Sequence, residues 1–480
     1  MNFSVVRYIV GCLLKFEAGF LLLPCIVSLI CSEPSVSGIY LLTAAACLCL
    51  GFLLTFRKPK QFQIYTREGF TSVALGWVVL SIFGAMPFLL TGEIPRFEDA
   101  LFEVISGFTT TGASILSDVE SLSRGNLFWR SFTHWIGGMG VFVFIMAVLP
   151  LMGSSNMNLM RAESPGPSVG KLVPRVKDTA KILYEIYIAI TIIQIVLMCL
   201  EGLPILDSMM LTFGTVGTGG FGILNDGLAS YSPVIQNTVT VFMILSGINY
   251  SFFFCLLSKQ FKEAFSLEEV RWYLGIILVS ALLIAGNTHS IYQNVGETLR
   301  HAFFQVGSII TTTGYSTTDF DLWPQFSKTI LVLLMILGAC AGSTGGGFKV
   351  SRLLFLLKSI KKELGILIHP RMVKKLSMDG HQISHDVLRS TNVFMAAFFL
   401  ILFSSMLLIS VDNLDLTTNF TAVIATLSNI GPGLAKVGPT QNFSVYSCFS
   451  KYVLMFDMLA GRLELLPILV LFMPSCWKKY

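Results

Sequence analysis

A short polar segment, residues 311–315, has the residue types of an ion filter. It reads Thr-Thr-Thr-Gly-Tyr and follows a mostly apolar stretch that carries Glu297 near its N-terminal end. A filter of this kind replaces the water shell of a potassium ion with backbone carbonyl oxygens, so the chain must run extended with its oxygens facing one axis. Gly314 can adopt the positive φ angle that such a backbone requires at little steric cost. The pattern predicts a short pore helix followed by a potassium filter.

Three further segments resemble this one, as a pore enclosed by a single chain requires. The segment at Gly112 is a close copy, because aligning Gly112 with Gly314 also aligns two Thr triplets. Weaker copies lie at residues 215–220 and 428–432, with Gly219 and Gly431 as the aligned glycines. The aligned glycines are separated by about 107, 95 and 117 residues, enough for two spans and a re-entrant loop. The candidate filter and potassium-binding residues are Thr110, Thr111, Gly112, Gly217, Thr218, Gly219, Thr312, Thr313, Gly314, Asn429, Ile430 and Gly431.

A glycine-rich segment inside an apolar run, residues 338–349, is a candidate gate. Nucleotide binding is excluded here, because a phosphate-binding loop needs Gly-Lys-Ser/Thr at its last glycine and a strand before it. Each glycine costs a helix about 1 kcal/mol relative to alanine, and a break at membrane depth is tolerated where it lines a water-filled cavity. The pattern predicts a gate beneath the filter, with a packing kink as the alternative. The candidate gate residues of this segment are Gly342, Ser343, Thr344, Gly345, Gly346 and Gly347.

Three charged residues, Asp457, Arg462 and Glu464, lie in the apolar run that ends the chain. Charge inside a membrane is costly and normally faces a cavity or a partner. Arg462 is therefore a further candidate gate residue, which would set a barrier to cations and pair with Asp457 or with the glycine-rich segment. A purely structural ion pair is the alternative. No catalytic residue is assigned, because no predicted span contains paired histidines, HExxH or a nucleophile motif.

The composition places these segments in a membrane. Hydrophobic residues make up 54% of the chain and charged residues only 13%. Most of the basic residues behind the net charge of +5 lie in short loops between apolar runs, which favours a cytoplasmic-side bias over nucleic-acid binding. The ten cysteines lie mostly in or beside apolar runs without metal-ligand spacing, so they are interpreted as buried apolar residues.

The apolar runs predict ten spans and four re-entrant loops, with both termini in the cytoplasm. The expected fold is an all-α polytopic membrane protein in which four pseudo-fourfold helix–pore loop–helix repeats surround a central pore, with an N-terminal two-helix unit added. Three pore helices are expected at residues 97–108, 203–215 and 416–427, and the fourth before Gly314. The spans that follow the first two filter segments are expected at about 127–149 and 233–257. The expected divisions are an N-terminal unit at 1–66 and repeats at 67–150, 151–258, 259–360 and 361–480.

Several local motifs together are more specific than any one filter segment. The motifs are HWIGGMG at 134–140, MRAESPGP at 160–167, AGSTGGGFK at 341–349 and GRLE at 461–464. With these motifs, the four filter segments and the two-helix addition, the chain resembles the Trk/Ktr/HKT superfamily of potassium transporters, and within it the TrkH-type uptake proteins.

The resemblance implies roles for particular residues. It makes the four filter glycines the determinants of potassium selectivity, residues 342–347 the gating loop, and Arg462 a part of the gate. Gly112 favours potassium, because sodium-favouring relatives carry serine there. It also implies a multi-pass homodimer in the lipid of the cell inner membrane and a cytosolic TrkA-like regulatory ring docked on the basic loop 358–389. Nucleotide would bind only to that ring, with potassium as the transported ion and no covalently bound cofactor.

The predicted function is that of a potassium-selective conducting subunit of a Trk-type uptake system, gated from the cytosol and driven by membrane potential. A potential of 100 mV supplies about 2.3 kcal/mol per charge, or about 50-fold accumulation. A proton- or sodium-coupled symporter is the first alternative, with Asp457 as its ionisable group. An alternating-access carrier for organic substrates would predict a midplane pocket instead of four filter segments. A membrane-embedded enzyme is the remotest alternative, since no motif supports it.

Overall fold

The computed structural model describes residues 1–59, 65–138, 140, 176–371 and 375–478. Helices dominate, and in these ranges six continuous helices are long and apolar enough to cross a membrane. Their outward faces carry exposed Leu, Ile, Val and Phe side chains, which suit contact with lipid. The predicted class, an all-α polytopic membrane protein, is confirmed.

The helices alternate between long spans and short segments. In chain order they are α1 (Phe3–Ile30), α2 (Pro34–Thr55), α3 (Thr66–Thr91), α4 (Phe97–Phe108), α5 (Arg124–Gly138), α6 (Val176–Leu200), α7 (Ile205–Val216), α8 (Pro233–Ser246), α9 (Tyr250–Leu257), α10 (Phe261–Ser266), α11 (Glu268–Thr288), α12 (Val295–Ile310), α13 (Gln325–Ile336), α14 (Val350–Ile368), α15 (His385–Ile409), α16 (Leu416–Leu427), α17 (Cys448–Arg462), α18 (Leu466–Val470) and α19 (Pro474–Trp477). Two short strands, β1 (Ser377–Met378) and β2 (His381–Gln382), form an antiparallel hairpin.

The N-terminal pair α1 and α2 is attached to the first repeat by a capping contact. Glu33, in the turn between the two helices, accepts hydrogen bonds from the backbone N–H groups of Arg124 and Gly125 at 2.8 and 3.1 Å. These N–H groups open α5 and have no acceptor within their own helix. A carboxylate at this end is also favoured by the helix dipole. The two-helix unit thus completes the N-terminus of a first-repeat helix.

Four short helices, α4, α7, α12 and α16, precede the candidate filter segments. The predicted bounds 97–108 and 416–427 are those observed, and the helix predicted at 203–215 runs from Ile205 to Val216. Asp415 caps α16 by accepting from the hydroxyl and the N–H of Thr418 at 2.6 and 2.9 Å. Those hydrogen bonds hold the pKa of Asp415 below its usual range.

Three spans that follow filter segments are broken rather than continuous. The break between α13 and α14 spans the glycine-rich segment, as predicted. The span expected at 233–257 is instead two helices, α8 and α9, bent by 92° at residues 247–249. The last span also breaks after Arg462, where Glu464 and Leu465 have positive φ angles. The corresponding span of the first repeat, expected at 127–149, begins as α5, and its later part lies outside the described residues.

The N-terminal and C-terminal ends of the described chain meet at one face. The amino group of Met1 donates to the carbonyl of Lys478 at 3.1 Å, and Arg67 donates to the same oxygen at 3.3 Å. Arg7 donates to the carbonyl of Arg57 at 3.1 Å. Arg57 and Arg67 therefore lie at this same face, beside the two ends of the described chain.

Candidate ion filter and gate

Each of the four short helices runs directly into a segment of the same backbone conformation. The second residue after each helix has a φ angle of 55 to 58°, and the fourth is a glycine with a φ angle of 77 to 101°. This conformation is the left-handed region that side chains disfavour. The second-position residues are Thr110, Thr218, Thr312 and Asn429, and the fourth-position glycines are Gly112, Gly220, Gly314 and Gly431.

Each segment is tied back to its own helix in the same way. The residue before the glycine donates its N–H to the carbonyl five residues earlier, at 2.8 to 2.9 Å. The helix C-terminus, which carries a partial negative charge, therefore ends at the candidate filter and favours a cation there. The donor and acceptor pairs are Thr111 with Ser106, Gly219 with Gly214, Thr313 with Ser308, and Ile430 with Ala425.

The four segments meet in a closed ring. A Cβ atom added to any of the four glycines would collide with the carbonyl oxygen that precedes the glycine of the next segment. The collisions follow chain order and then return to the start, so the four segments surround one axis. The glycine and oxygen pairs are Gly112 with Gly219, Gly220 with Thr313, Gly314 with Ile430, and Gly431 with Thr111.

The second segment corrects the alignment made from the sequence. That alignment placed Gly219 opposite Gly112, but the residue with the equivalent positive φ angle is Gly220, at 81°. Gly219 stands one position earlier and supplies a carbonyl oxygen to the ring. Thr218 then matches Thr110, which restores the same register in all four segments.

His134 and Tyr315 join neighbouring segments from behind. The N–H of Phe221 donates to Nε2 of His134 at 3.2 Å, so the proton of this neutral ring lies on Nδ1, which donates to the carbonyl of Gly107 at 2.8 Å. The hydroxyl of Tyr315 lies 3.2 Å from the carbonyls of Leu211 and of Phe221. The first three quadrants are therefore held to one another by side chains as well as by packing.

A buried ion pair supports the first filter segment. Nε of Arg130 lies 2.6 Å from Oε1 of Glu103, and the two side chains are only 3% and 0% exposed. Glu103 also accepts from the N–H of Ile115, and Arg130 donates to the carbonyl of Gly222 in the second segment at 2.9 Å. This pair was not predicted from the sequence. The available signal was a glutamate in the middle of α4, beyond the acidic residues of its first turn.

The glycine-rich segment folds back beneath the ring. Its two ends pair, with the N–H of Gly338 donating to the carbonyl of Phe348 at 2.8 Å. Its middle fills the break between α8 and α9, since Tyr250 N–H donates to the carbonyl of Gly342 at 3.1 Å. Gly346 N–H donates to the hydroxyl of Thr312 at 2.7 Å. The structure therefore brings candidate gate and filter residues into direct contact.

Arg462 pairs with this segment rather than with Asp457. It donates to the carbonyl of Thr344 at 2.9 Å and also to the carbonyl of Gly137 at the end of α5. Asp457 instead accepts a hydrogen bond from Ser405 at 2.7 Å. Of the two pairings expected for Arg462, the structure therefore has the one with the glycine-rich segment.

The ligands that this site offers to a cation are backbone oxygens. Within the described ranges, His, Cys, Asp and Glu side chains form no group of three that could hold a metal ion. Backbone carbonyls are the groups that potassium filters use in place of an ion's water shell.

Helices long and apolar enough to cross a membrane, together with four similar segments that meet in a ring, define a helical membrane protein. The family model described as "TrkH: Cation transport protein" matches residues 39–274 and 261–479. The chain belongs to this TrkH family, which is a family of transport proteins and not of enzymes.

Close similarity extends over the whole chain. The Trk system potassium uptake protein TrkH of Salmonella typhimurium is 37% identical over 488 residues, and that of Escherichia coli is 36% identical over 487, each with 100% of both chains covered. The crystal structure of the potassium transporter TrkH from Vibrio parahaemolyticus superposes with a TM-score of 0.89, at 32% identity and with both chains fully covered.

Proposed function

We propose that this chain is the potassium-selective, ion-conducting membrane subunit of a Trk-type potassium uptake system, gated from the cytosol and driven by membrane potential. The observation that carries the proposal is the closed ring of four equivalent segments, each with a left-handed glycine against a neighbouring carbonyl. Relatives that cover the full chain are named as potassium uptake proteins, which supports potassium as the transported ion.

Selectivity is assigned to the backbone of the four segments, at the residues named from the sequence with Gly220 added. The carbonyls before the four glycines form one layer of ion ligands. The side-chain bonds of His134 and Tyr315 hold neighbouring segments to one another behind these ligands. A Cβ on Gly112 would strike the carbonyl oxygen of Gly219, so serine does not fit at this position of the ring.

Gating is assigned to residues 342–347 together with Arg462. The segment lies under the ring and is held by the hydrogen bond from Arg462 to Thr344. A guanidinium is always charged, so its position next to the pathway opposes cations while the segment stays in place. Withdrawal of the segment would break that contact and open the pathway.

The topology assigned to the chain has both termini in the cytoplasm of a cell with an inner membrane, and the sequence divisions stand as its proposed domains. The basic loop 358–389 is the proposed docking surface for a TrkA-like nucleotide-binding ring. Within this loop, Lys358 joins Glu268 at the start of α11 to the carbonyl of Ser377 in β1. The proposed assembly is a homodimer in membrane lipid, without nucleic acid.

Flux into liposomes that contain only this chain tests the proposal. With an imposed potential, we expect uptake of potassium and rubidium to exceed that of sodium and lithium. Gly314→Ser should relax this preference, because the residue has a φ angle of 85° and a Cβ there would strike the carbonyl of Ile430. Selectivity that survives Gly314→Ser would contradict the assignment of the filter.

A proton- or sodium-coupled symporter remains the second candidate, and one observation favours it. Asp457 is fully buried, and its Oδ2 atom has no hydrogen-bond partner among the described residues. A carboxyl in that state could release or take up a proton during transport. Potential-driven uptake in Asp457→Asn at the wild-type rate would exclude coupling through this residue. Loss of uptake with the ion preference intact, together with a requirement for a proton or sodium gradient in the wild type, would favour the symporter.

A further inference from the structure

We propose that Thr312 is a positioning residue that couples the closed gate to the filter. In this arrangement the hydroxyl of Thr312 holds residues 342–347, called the gating segment below, in the closed position. The gating segment in turn stabilises the conformation of the third filter segment. The inference rests on the proposed filter and gate functions and adds a contact through which each acts on the other.

The contact between the two is direct and buried. Gly346 N–H donates to Oγ1 of Thr312 at 2.7 Å, and both residues are buried. Backbone packing accompanies the hydrogen bond. A Cβ on Gly345 would lie 2.9 Å from the carbonyl oxygen of Thr311, and one on Gly346 would lie 2.6 Å from that of Ser428. The gating segment therefore covers the inner ends of the third and fourth filter segments, and only glycine backbone can approach them this closely.

Thr312 differs from the residues at the equivalent positions. The hydroxyl of Thr218 donates to the carbonyl of Gly217 at 2.7 Å, within its own segment. The amide of Asn429 donates to Met458 and Thr111. The hydroxyl of Thr110 has no hydrogen-bond partner among the residues that the structure describes. Among the described residues, the gating segment therefore donates a hydrogen bond to only one of these four side chains, that of Thr312.

Withdrawal of the gating segment separates a buried donor from a buried acceptor. Gly346 N–H and the Thr312 hydroxyl must then find other partners, and Thr312 is a left-handed residue whose conformation depends on its surroundings. Coupling of this kind is reciprocal. A substitution in the filter that removes the hydrogen bond therefore favours opening of the gate, and opening of the gate perturbs the filter by the same free energy.

Three variants test the coupling in liposomes without any cytosolic partner. Thr312→Val removes the hydroxyl at nearly constant volume, Thr312→Ser keeps it, and Thr110→Val removes the equivalent hydroxyl of the first segment. We expect potassium leak of Thr312→Val to rise about fivefold, the population shift that loss of one ordinary hydrogen bond produces. Thr312→Ser should restore the wild-type leak, and the leak of Thr110→Val should rise clearly less than that of Thr312→Val.

The outcomes separate this inference from the proposed function. Selective wild-type flux with equal leak in Thr312→Val and Thr110→Val would overturn the coupling alone, as would a Thr312→Ser variant that leaks like Thr312→Val. Non-selective flux in the wild type would overturn the proposed function and this inference with it. Thermal unfolding of each variant in detergent confirms that a leak is measured on folded protein.

Discussion

At the scale of single residues, the proposed filter is built from strained backbone that its surroundings hold in place. Thr110, Thr218, Thr312 and Asn429 all lie in the left-handed region, which costs a residue with a side chain about 1–2 kcal/mol. Each donates its N–H to the last turn of its pore helix, and the next N–H bonds to the same helix. Strain of this kind persists only where neighbouring contacts determine the conformation, and it is common at functional sites.

Two glycines of the second segment allow this point to be tested. Gly220 has a φ angle of 81° and its Cβ would strike the carbonyl of Thr313, whereas Gly222 has no positive φ angle and its Cβ would lie 3.4 Å from the nearest atom. We therefore expect Gly220→Ala to abolish potassium preference in the flux assay. Gly222→Ala is the matched control and should keep it. A normal preference in Gly220→Ala would return Gly219 to the role that the sequence alignment gave it.

The error at Gly219 has a plain physical origin. The first and third segments share a Thr triplet that fixes their register, but the second reads Gly-Thr-Gly-Gly. Three of its four residues tolerate a positive φ angle, so composition alone does not say which glycine adopts it. Packing against the next quadrant decides, because only Gly220 meets the carbonyl of Thr313.

At the scale of elements, short pore helices were predictable and breaks in long spans were only partly so. The bounds of α4 and α16 were predicted because an acidic residue lies near each start and a polar filter follows each end. The break at residues 247–249 was not predicted, because the sequence there has a single glycine with no second glycine or proline beside it. Its freed backbone groups are satisfied by the gating segment, with Cys340 N–H donating to Gly247 and Tyr250 N–H to Gly342. The break between α8 and α9 is thus stabilised by the segment that breaks the span between α13 and α14. A local sequence pattern does not reveal such a contact, because the two segments are distant in sequence.

The buried pair between α4 and α5 gives a prediction about elements. Removing one partner of a buried ion pair leaves an uncompensated charge and costs about 3–5 kcal/mol, whereas exposed pairs contribute about 0–1 kcal/mol. Glu103→Gln should therefore lower the unfolding temperature strongly. Asp207→Asn, which breaks the exposed pair with Arg124, should change it little. Equal shifts in thermal unfolding of the two variants would contradict the structural role given to the buried pair.

At the scale of the whole molecule, the four similar segments could be recognised from the sequence because a repeated pattern does not depend on any single contact. The cytoplasmic side of the basic loops stays a prediction. The contact of Met1 with Lys478 could not be predicted, because it depends on how the N-terminal pair packs against the last helices. The later half of the span expected at 127–149 and the MRAESPGP motif lie outside the described residues.

The ring of four unequal segments also has a genetic consequence. In a pore assembled from four identical subunits, one codon change alters every quadrant, and its energetic effect is multiplied accordingly. Here a single substitution enters the ring once and leaves three quadrants as they were. Asparagine at position 429 and threonine at the three matching positions show that the quadrants have already diverged. Mutations can therefore change the proposed ion preference and gate control one quadrant at a time, and each such change is inherited separately.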